Sequence, residues 1–154
     1  LDPVAVVRVQ REPFSLEAEV AELTRGHRDL GAVVTFTGLC RDEGGTLAAL
    51  EIEHYPGMAE EEIGRVVAQA RARWPLAGVV VVHRYGRIEP GEPIVLVVTA
   101  GRHRGEAFDA ASFLIDYLKT KAPFWKKEHR RGAGPGDWVA AKVEDDAAAA
   151  KWDR

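Results

Sequence analysis

The chain has 154 residues, of which 46% are hydrophobic and 29% charged, with a formal net charge of −3 and a sequence pI near 6.0. That length and balance specify a folded chain with a buried core and exclude extended disorder. They also exclude a whole-molecule electrostatic footprint for nucleic acid or an anionic membrane, so any anion site has to be local.

The apolar runs, such as GVVVV at 78–82 and IVLVV at 94–98, are far shorter than a bilayer span. The opening LDPVAVVRVQRE lacks the basic-then-apolar layout of a signal peptide. One cysteine, Cys40, permits no internal disulfide and fits a reducing cytoplasm, where the protein is expected to reside.

In chain order, VAVVRVQ at 4–10 predicts a strand. Ser15 is placed to cap a helix through LEAEVAELTR that ends near Gly26. GAVVTFTGLC at 31–40 and TLAALEIEHY at 46–55 read as strands, and the RDEGG between them signals a hairpin. From Met58 to Trp74, Ile63, Val66, Val67, Ala70 and Trp74 recur at helical spacing, with glutamates first and arginines last as the helix dipole prefers; Pro75 stops the helix.

GVVVVHRYG at 78–86 and PIVLVVTAG at 93–101 read as buried strands. A third helix follows from about Arg104 to Lys121, ended by Pro123. FWKKEHR and DWVAAKVE are strand-like pieces around the turn-rich GAGPG, and an alanine-rich tail occupies about 145–154. Alternating strands and helices with a late β-rich appendage imply an α/β or α+β fold with a mixed sheet, expected as one domain over 1–154.

Arg102, His103 and Arg104 stand where a buried strand runs into the third helix. Cations are disfavoured at that end of the dipole. Two readings stay open: the free N–H groups and arginines cradle a phosphate, or the arginines face water and nearby carboxylates such as Glu106.

Four lysines crowd KTKAPFWKKEHR at 119–130. On the third helix Phe108, Ala111, Ile115 and Leu118 form an apolar stripe with Lys119 and Lys121 at its two edges, and periodicity does not choose between them. On a strand, Lys126 shares a face with Phe124, and Lys127 with Trp125. An aromatic wall that excludes water would lower a lysine pKa there and suit it to acid–base work.

The five histidines show no HxxxH or HExxH spacing and there is no CxxC, so no metal site or cofactor is expected. The glycine clusters lack the frame of a nucleotide-binding loop. Cys40 has no sign of a catalytic triad and reads as a small core residue.

The segments GAVVTFTGLCRD, ALEIEHYPGM, ARARWPLAGVVVVHRYG, TAGRHRGEAF and above all DYLKTKAPFWKKE resemble the large, catalytic subunit of molybdopterin synthase. The similarity runs in order from about Pro13 to Trp152. It implies an α/β hammerhead-type mixed sheet with a small additional antiparallel subdomain. It also implies a sulfurtransferase that converts cyclic pyranopterin monophosphate into the dithiolene of molybdopterin. The sulfur would come from the C-terminal Gly-Gly thiocarboxylate of a small ubiquitin-like carrier subunit, and the chain would form a homodimer with a partner at each end, a heterotetramer.

Carried onto this sequence, the resemblance makes Lys119 and Lys126 the catalytic lysines, with Lys119 nearest the partner's terminal carbonyl. Arg41, His103 and Arg104 match phosphate- and pterin-binding positions. Leu39, Cys40, Lys127 and Glu128 fall in matching pocket segments, and Lys121 is left on the surface. Lys142 stands in WVAAK where an arginine is expected, which allows a point-charge contact but not a bidentate one. The sulfur is the partner's, so Cys40 is not its source. A non-catalytic scaffold for the same partner, and another anion-handling acyl or phosphoryl transferase, are the alternative readings.

Overall fold

A computed structural model describes residues 3–132, 135–139 and 149–153. Its elements are strands β1 (Val4–Gln10), β2 (Ala32–Leu39), β3 (Leu47–His54), β4 (Leu76–Arg84), β5 (Gly86–Ile88), β6 (Pro93–Gly101), β7 (Phe124–Arg130) and β8 (Pro135–Val139). The helices are α1 (Leu16–Thr24), α2 (Met58–Arg73) and α3 (Arg104–Thr120), with a short 3-10 turn at Lys151–Asp153. No helix among the described residues is long and apolar enough to cross a membrane.

The first sheet has the order β1-β4-β6-β2, with β1 and β4 parallel and the other pairs antiparallel. Side-chain alternation sorts its residues onto two covered faces. Val79, Val81, Val95 and Val97 meet Ile63, Val66 and Ala70 of α2 and Ala110, Phe113, Leu114 and Tyr117 of α3. Val80, Val82, Leu96 and Val98 meet Leu23 of α1. Burial on both faces explains why β4 and β6 read as continuous apolar runs.

Local sequence sets the helix ends. The Ser15 hydroxyl accepts a hydrogen bond from the Ala18 N–H at 3.1 Å, opening α1 as expected. Gly57 adopts a φ of 87°, a left-handed turn open to glycine, and its N–H donates to the Glu60 carboxylate at 2.7 Å as α2 starts.

The second sheet, β5-β3-β7-β8, is wholly antiparallel. Cys40, Leu47, Ile52 and Ile88 form its buried cluster, with Ile94 and Phe124 packed against it from the boundary with the first sheet. A mixed sheet with three helices plus an antiparallel sheet is the expected α+β architecture. The expected hairpin between 31–40 and 46–55 is not formed. β2 runs along β6 from Ala32↔Gly101 to Leu39↔Pro93, whereas β3 pairs with β5 and β7. Gly44 and Gly45 do turn the chain, at φ 86° and 76°, but they carry it from one sheet to the other. Alternation identifies a strand and not its neighbour, and long-range packing chose β6.

Two further differences concern detail. The expected stripe on α3 fails at its start, where Phe108 is 59% exposed; Ala111 is buried as expected and Ile115 and Leu118 pack against the core, but Ala107, Ala110, Phe113, Leu114 and Tyr117 make most of the buried face. The short β5 is a strand of its own, and its Arg87 and Ile88 fall beyond the strand expected at 78–86. Of DWVAAKVE, residues 137–139 belong to β8 and the rest, Lys142 included, lies outside the described residues. At the chain's end Trp152 packs edge-on against Trp74 and Phe113, and its indole N–H donates to Asp116.

Candidate active site

An open cleft of about 440 Å³, counted out to its solvent-filled mouth, lies between α3 and the end of the first sheet. β2 contributes Phe36, Gly38 and Leu39, β6 contributes Ile94 and Val95, and β4 contributes His83. Ile115, Leu118 and Lys119 come from α3, and Lys126 from β7. A Cβ on Gly38 would meet a methyl of Val95 at 2.8 Å, so the absence of a side chain there keeps one wall thin.

Lys119 and Lys126 therefore reach one space from two different elements: the last turn of α3 and a strand of the other sheet. Lys121, the other edge of the α3 stripe, turns away, its ammonium 4.5 Å from the Tyr117 ring centroid. The structure thus makes the choice that helical periodicity left open. Lys119 is exposed although it lines the cleft.

β7 presents its faces as alternation requires. Phe124 stacks on His83, with ring centroids 3.8 Å apart and planes at 12°. Trp125, on the other face, is 42% exposed and packs edge-on to Tyr55. Lys126 lies with Phe124, Lys127 with Trp125. Glu128 accepts a 2.6 Å hydrogen bond from Arg130.

Leu39 lines the cleft and is 59% exposed, and behind it Cys40 is buried. The Cys40 backbone is tied down by its N–H to the Glu92 carbonyl at 2.8 Å and by the Gly91 N–H to its own carbonyl at 2.7 Å. Burial pushes the thiol's pKa up, Glu92 and Asp42 add to this, and Lys126 opposes it. The protonated thiol is a core group, as expected. Arg41, one residue on, is exposed and ion-paired with Glu43. An anion arriving at Arg41 would have to displace that carboxylate.

His103 and Arg104 are not gathered into this cleft. They open α3, and at about 1.5 Å per residue Lys119 sits about 22 Å along the helix from Arg104. The helix start also carries an anion of its own: the Glu106 carboxylate accepts from the His103 N–H at 3.0 Å. Arg102 lies 3.8 Å from Asp29, both largely in solvent. At this junction the described residues meet the carboxylates of Glu106 and Asp29. The helix expected from about Arg104 to Lys121 already implied this separation of the two cationic groups.

His83 was missed as a site residue. Its ring is buried, yet lines the cleft, and Nδ1 lies 2.8 Å from the Arg84 carbonyl. Burial drives its pKa down to about 3, and Lys126, His54 and Lys119 push the same way, against the bond to the Arg84 carbonyl. The usable signal was alternation: in a strand whose Val79 and Val81 face α3, position 83 faces it too.

Comparison with known proteins identifies the family. The family model described as "MoaE protein" matches residues 9–121. The "Molybdopterin synthase catalytic subunit" of Mesorhizobium japonicum is 62% identical over 95% of this chain and 92% of its own length. A solved structure titled "Molybdopterin biosynthesis MoaE protein" from Burkholderia ambifaria is 46% identical, with a TM-score of 0.83 over 97% of this chain and 99% of that one. A subunit complex of molybdopterin-converting factor from Helicobacter pylori, 22% identical with a TM-score of 0.69 over 89% of this chain and 90% of that one, shares the fold. On the family match and the first two likenesses, the chain belongs to the MoaE protein family, that of the molybdopterin synthase catalytic subunits, and is an enzyme of the sulfurtransferase class.

Proposed function

We propose that the Lys119–Lys126 cleft transfers sulfur from the thiocarboxylated C-terminus of a small ubiquitin-like carrier subunit to cyclic pyranopterin monophosphate, forming the dithiolene of molybdopterin. The observation that carries this reading is the convergence of the two lysines on one cleft with an apolar floor. Both reactants are anionic. Two unit charges about 4 Å apart at an effective dielectric near 20 repel by about 4 kcal/mol, so fixed cations are needed where they meet.

Lys119, at the more exposed position, receives the partner's terminal thiocarboxylate. Once its sulfur has bonded to the substrate as a thioester, Lys119 stabilises the oxyanion formed when water attacks the thioester carbonyl; the C–S bond breaks, the sulfur stays on the substrate and the carrier leaves as a carboxylate. Lys126, backed by the second sheet, stabilises the sulfur-bearing substrate intermediate and moves protons. Leu39 and the aliphatic wall seat the pterin ring, and Arg41 takes up phosphate after release from Glu43. Lys127 and Glu128 follow Lys126 within the same strand, and Lys142 is the further charge contact of this reading.

A small partner subunit is supported by the two-subunit complex of like fold from Helicobacter pylori. The chain is proposed to act as a homodimer binding one carrier at each end. The distance along α3 gives the dimer a chemical purpose: His103 and Arg104 serve the cleft of a second protomer. The whole reading is tested by mixing the purified chain with cyclic pyranopterin monophosphate and a thiocarboxylated carrier and assaying for dithiolene product; absence of product with a folded, carrier-bound protein would refute it.

A further inference from the structure

The turn at 41–46 begins just past the buried Cys40 and carries Arg41. It has little apolar packing to hold it, for residues 43–46 are all exposed. Gly44 and Gly45 take φ values of 86° and 76°, and a Cβ on either would meet nothing within 4 Å. Such a turn keeps one shape only where hydrogen bonds hold it. Asp42 supplies one, accepting from the Leu47 N–H at 2.8 Å, and the Arg131 N–H donates another to the Thr46 carbonyl at 2.8 Å.

Arg130, at the end of β7, adds a side-chain clamp. Its Nη1 donates to the Glu43 carbonyl at 3.0 Å and to the Thr46 hydroxyl at 3.2 Å, while Nη2 donates to the Glu128 carboxylate at 2.6 Å. One guanidinium thus ties two residues of the turn to the strand that bears Lys126. The rigid planar fork fixes these directions, which a lysine ammonium on its flexible stem does not.

Which atom is gripped matters. Arg130 holds the main chain of Glu43, whereas the Glu43 carboxylate is ion-paired with Arg41. Arg41 can therefore exchange that carboxylate for an incoming phosphate while the backbone of the turn stays in place. Without the clamp the turn would have to be ordered as the anion binds, which weakens binding.

We propose that Arg130 is a positioning residue for substrate capture: by clamping the 43–46 turn to β7, it preorganises Arg41 to receive the phosphate of the substrate. The inference deepens the proposed function and rests on Arg41 being its phosphate contact. Arg130 itself is not asked to touch the substrate, since both of its Nη atoms already meet protein acceptors.

The test is equilibrium binding of cyclic pyranopterin monophosphate to the full chain, together with KM and kcat for dithiolene formation at saturating thiocarboxylated carrier. Wild type, Arg130→Ala, Arg130→Lys, Arg41→Ala and the Arg41→Ala/Arg130→Ala double variant are compared. Arg130→Ala is expected to raise Kd and KM about tenfold, the order of one hydrogen bond to a charged group, with kcat kept at saturating substrate. Arg130→Lys, which restores the charge but not the fork, should bind nearly as weakly. In the Arg41→Ala background the second substitution should add nothing, because Arg130 acts through Arg41. Unchanged binding in Arg130→Ala, rescue by lysine, or a full effect that persists without Arg41 overturns the proposal.

Should Arg130→Ala fail to fold, Thr46→Val decides, since it removes one acceptor at an exposed position and leaves the arginine. A rise in Kd of about threefold, absent in the Arg41→Ala background, is expected; no rise overturns the proposal. Normal substrate binding in an Arg130→Ala enzyme that forms dithiolene removes this inference alone. Binding weakened as expected in a chain that forms no dithiolene removes the proposed sulfur transfer alone, and a wild-type chain that does not bind the substrate removes both.

Discussion

The rings of His83 and Phe124 lie stacked 3.8 Å apart, and this contact joins the end of β4 to the start of β7 beside the cleft. It is one of the places where the two sheets meet, since Phe124 packs against the core clusters of both. The position of Lys126 relative to Lys119 therefore depends on an aromatic contact as well as on backbone pairing.

Phe124→Ala removes that contact from a half-buried site. We expect a stability loss of about 2–3 kcal/mol, at or below the low end for a buried phenylalanine, measured by urea denaturation. Turnover should fall further than Phe124→Leu lowers it, because leucine keeps the apolar fill. Equal stability in wild type and Phe124→Ala would show that the sheets are held elsewhere.

His83 gives an acid limb to stability. Its folded pKa, near 3, lies below the ordinary histidine value of 6.5, so the folded state resists protonation that the unfolded chain accepts. The stabilisation is present above about pH 6.5 and is lost progressively as pH falls toward 3. In His83→Gln the stability–pH curve, followed by denaturant unfolding at each pH, should be flatter across that window. Parallel curves would show that the histidine titrates normally when folded.

Cys40 is buried with a raised thiol pKa, which makes it a poor nucleophile at neutral pH. Iodoacetamide should modify the folded chain far more slowly than the urea-unfolded chain, and Cys40→Ser should keep most sulfur transfer. Loss of transfer in a folded Cys40→Ser protein would give the thiol a chemical part and require a different route for the sulfur.

The separation of Arg104 from Lys119 makes a prediction about protomers. If each working site takes Arg104 from the neighbouring chain, mixed dimers of Lys119→Ala and Arg104→Ala protomers contain one intact site. Such dimers, isolated through two affinity tags, should recover about half of wild-type activity although each parent is impaired. Mixed dimers no better than the parents would place both residues in service of the same chain's site.

Much of this was legible in the sequence because it is local. Ser15 caps α1, Pro75 ends α2, and FWKKEHR alternates faces as a strand does. The pairing of β2 with β6 was not legible, because the RDEGG turn is equally able to close a hairpin or to pass the chain between sheets. The cleft was legible only in part. The strand period grouped Lys126 with Phe124, but choosing Lys119 over Lys121 needed the packing of α3. His83 stood in a strand pattern that reads as core, and its place in the cleft emerges only once two other elements bring the lysines beside it.

The central claim is that Lys119 and Lys126 work together on anionic reactants in one cleft. The most direct measurement is single-turnover dithiolene formation by Lys119→Ala with saturating thiocarboxylated carrier and cyclic pyranopterin monophosphate, in a variant shown by unfolding to be native. We expect a loss of about 100-fold or more, the scale for deleting one group that stabilises developing charge. A rate equal to wild type would contradict the account.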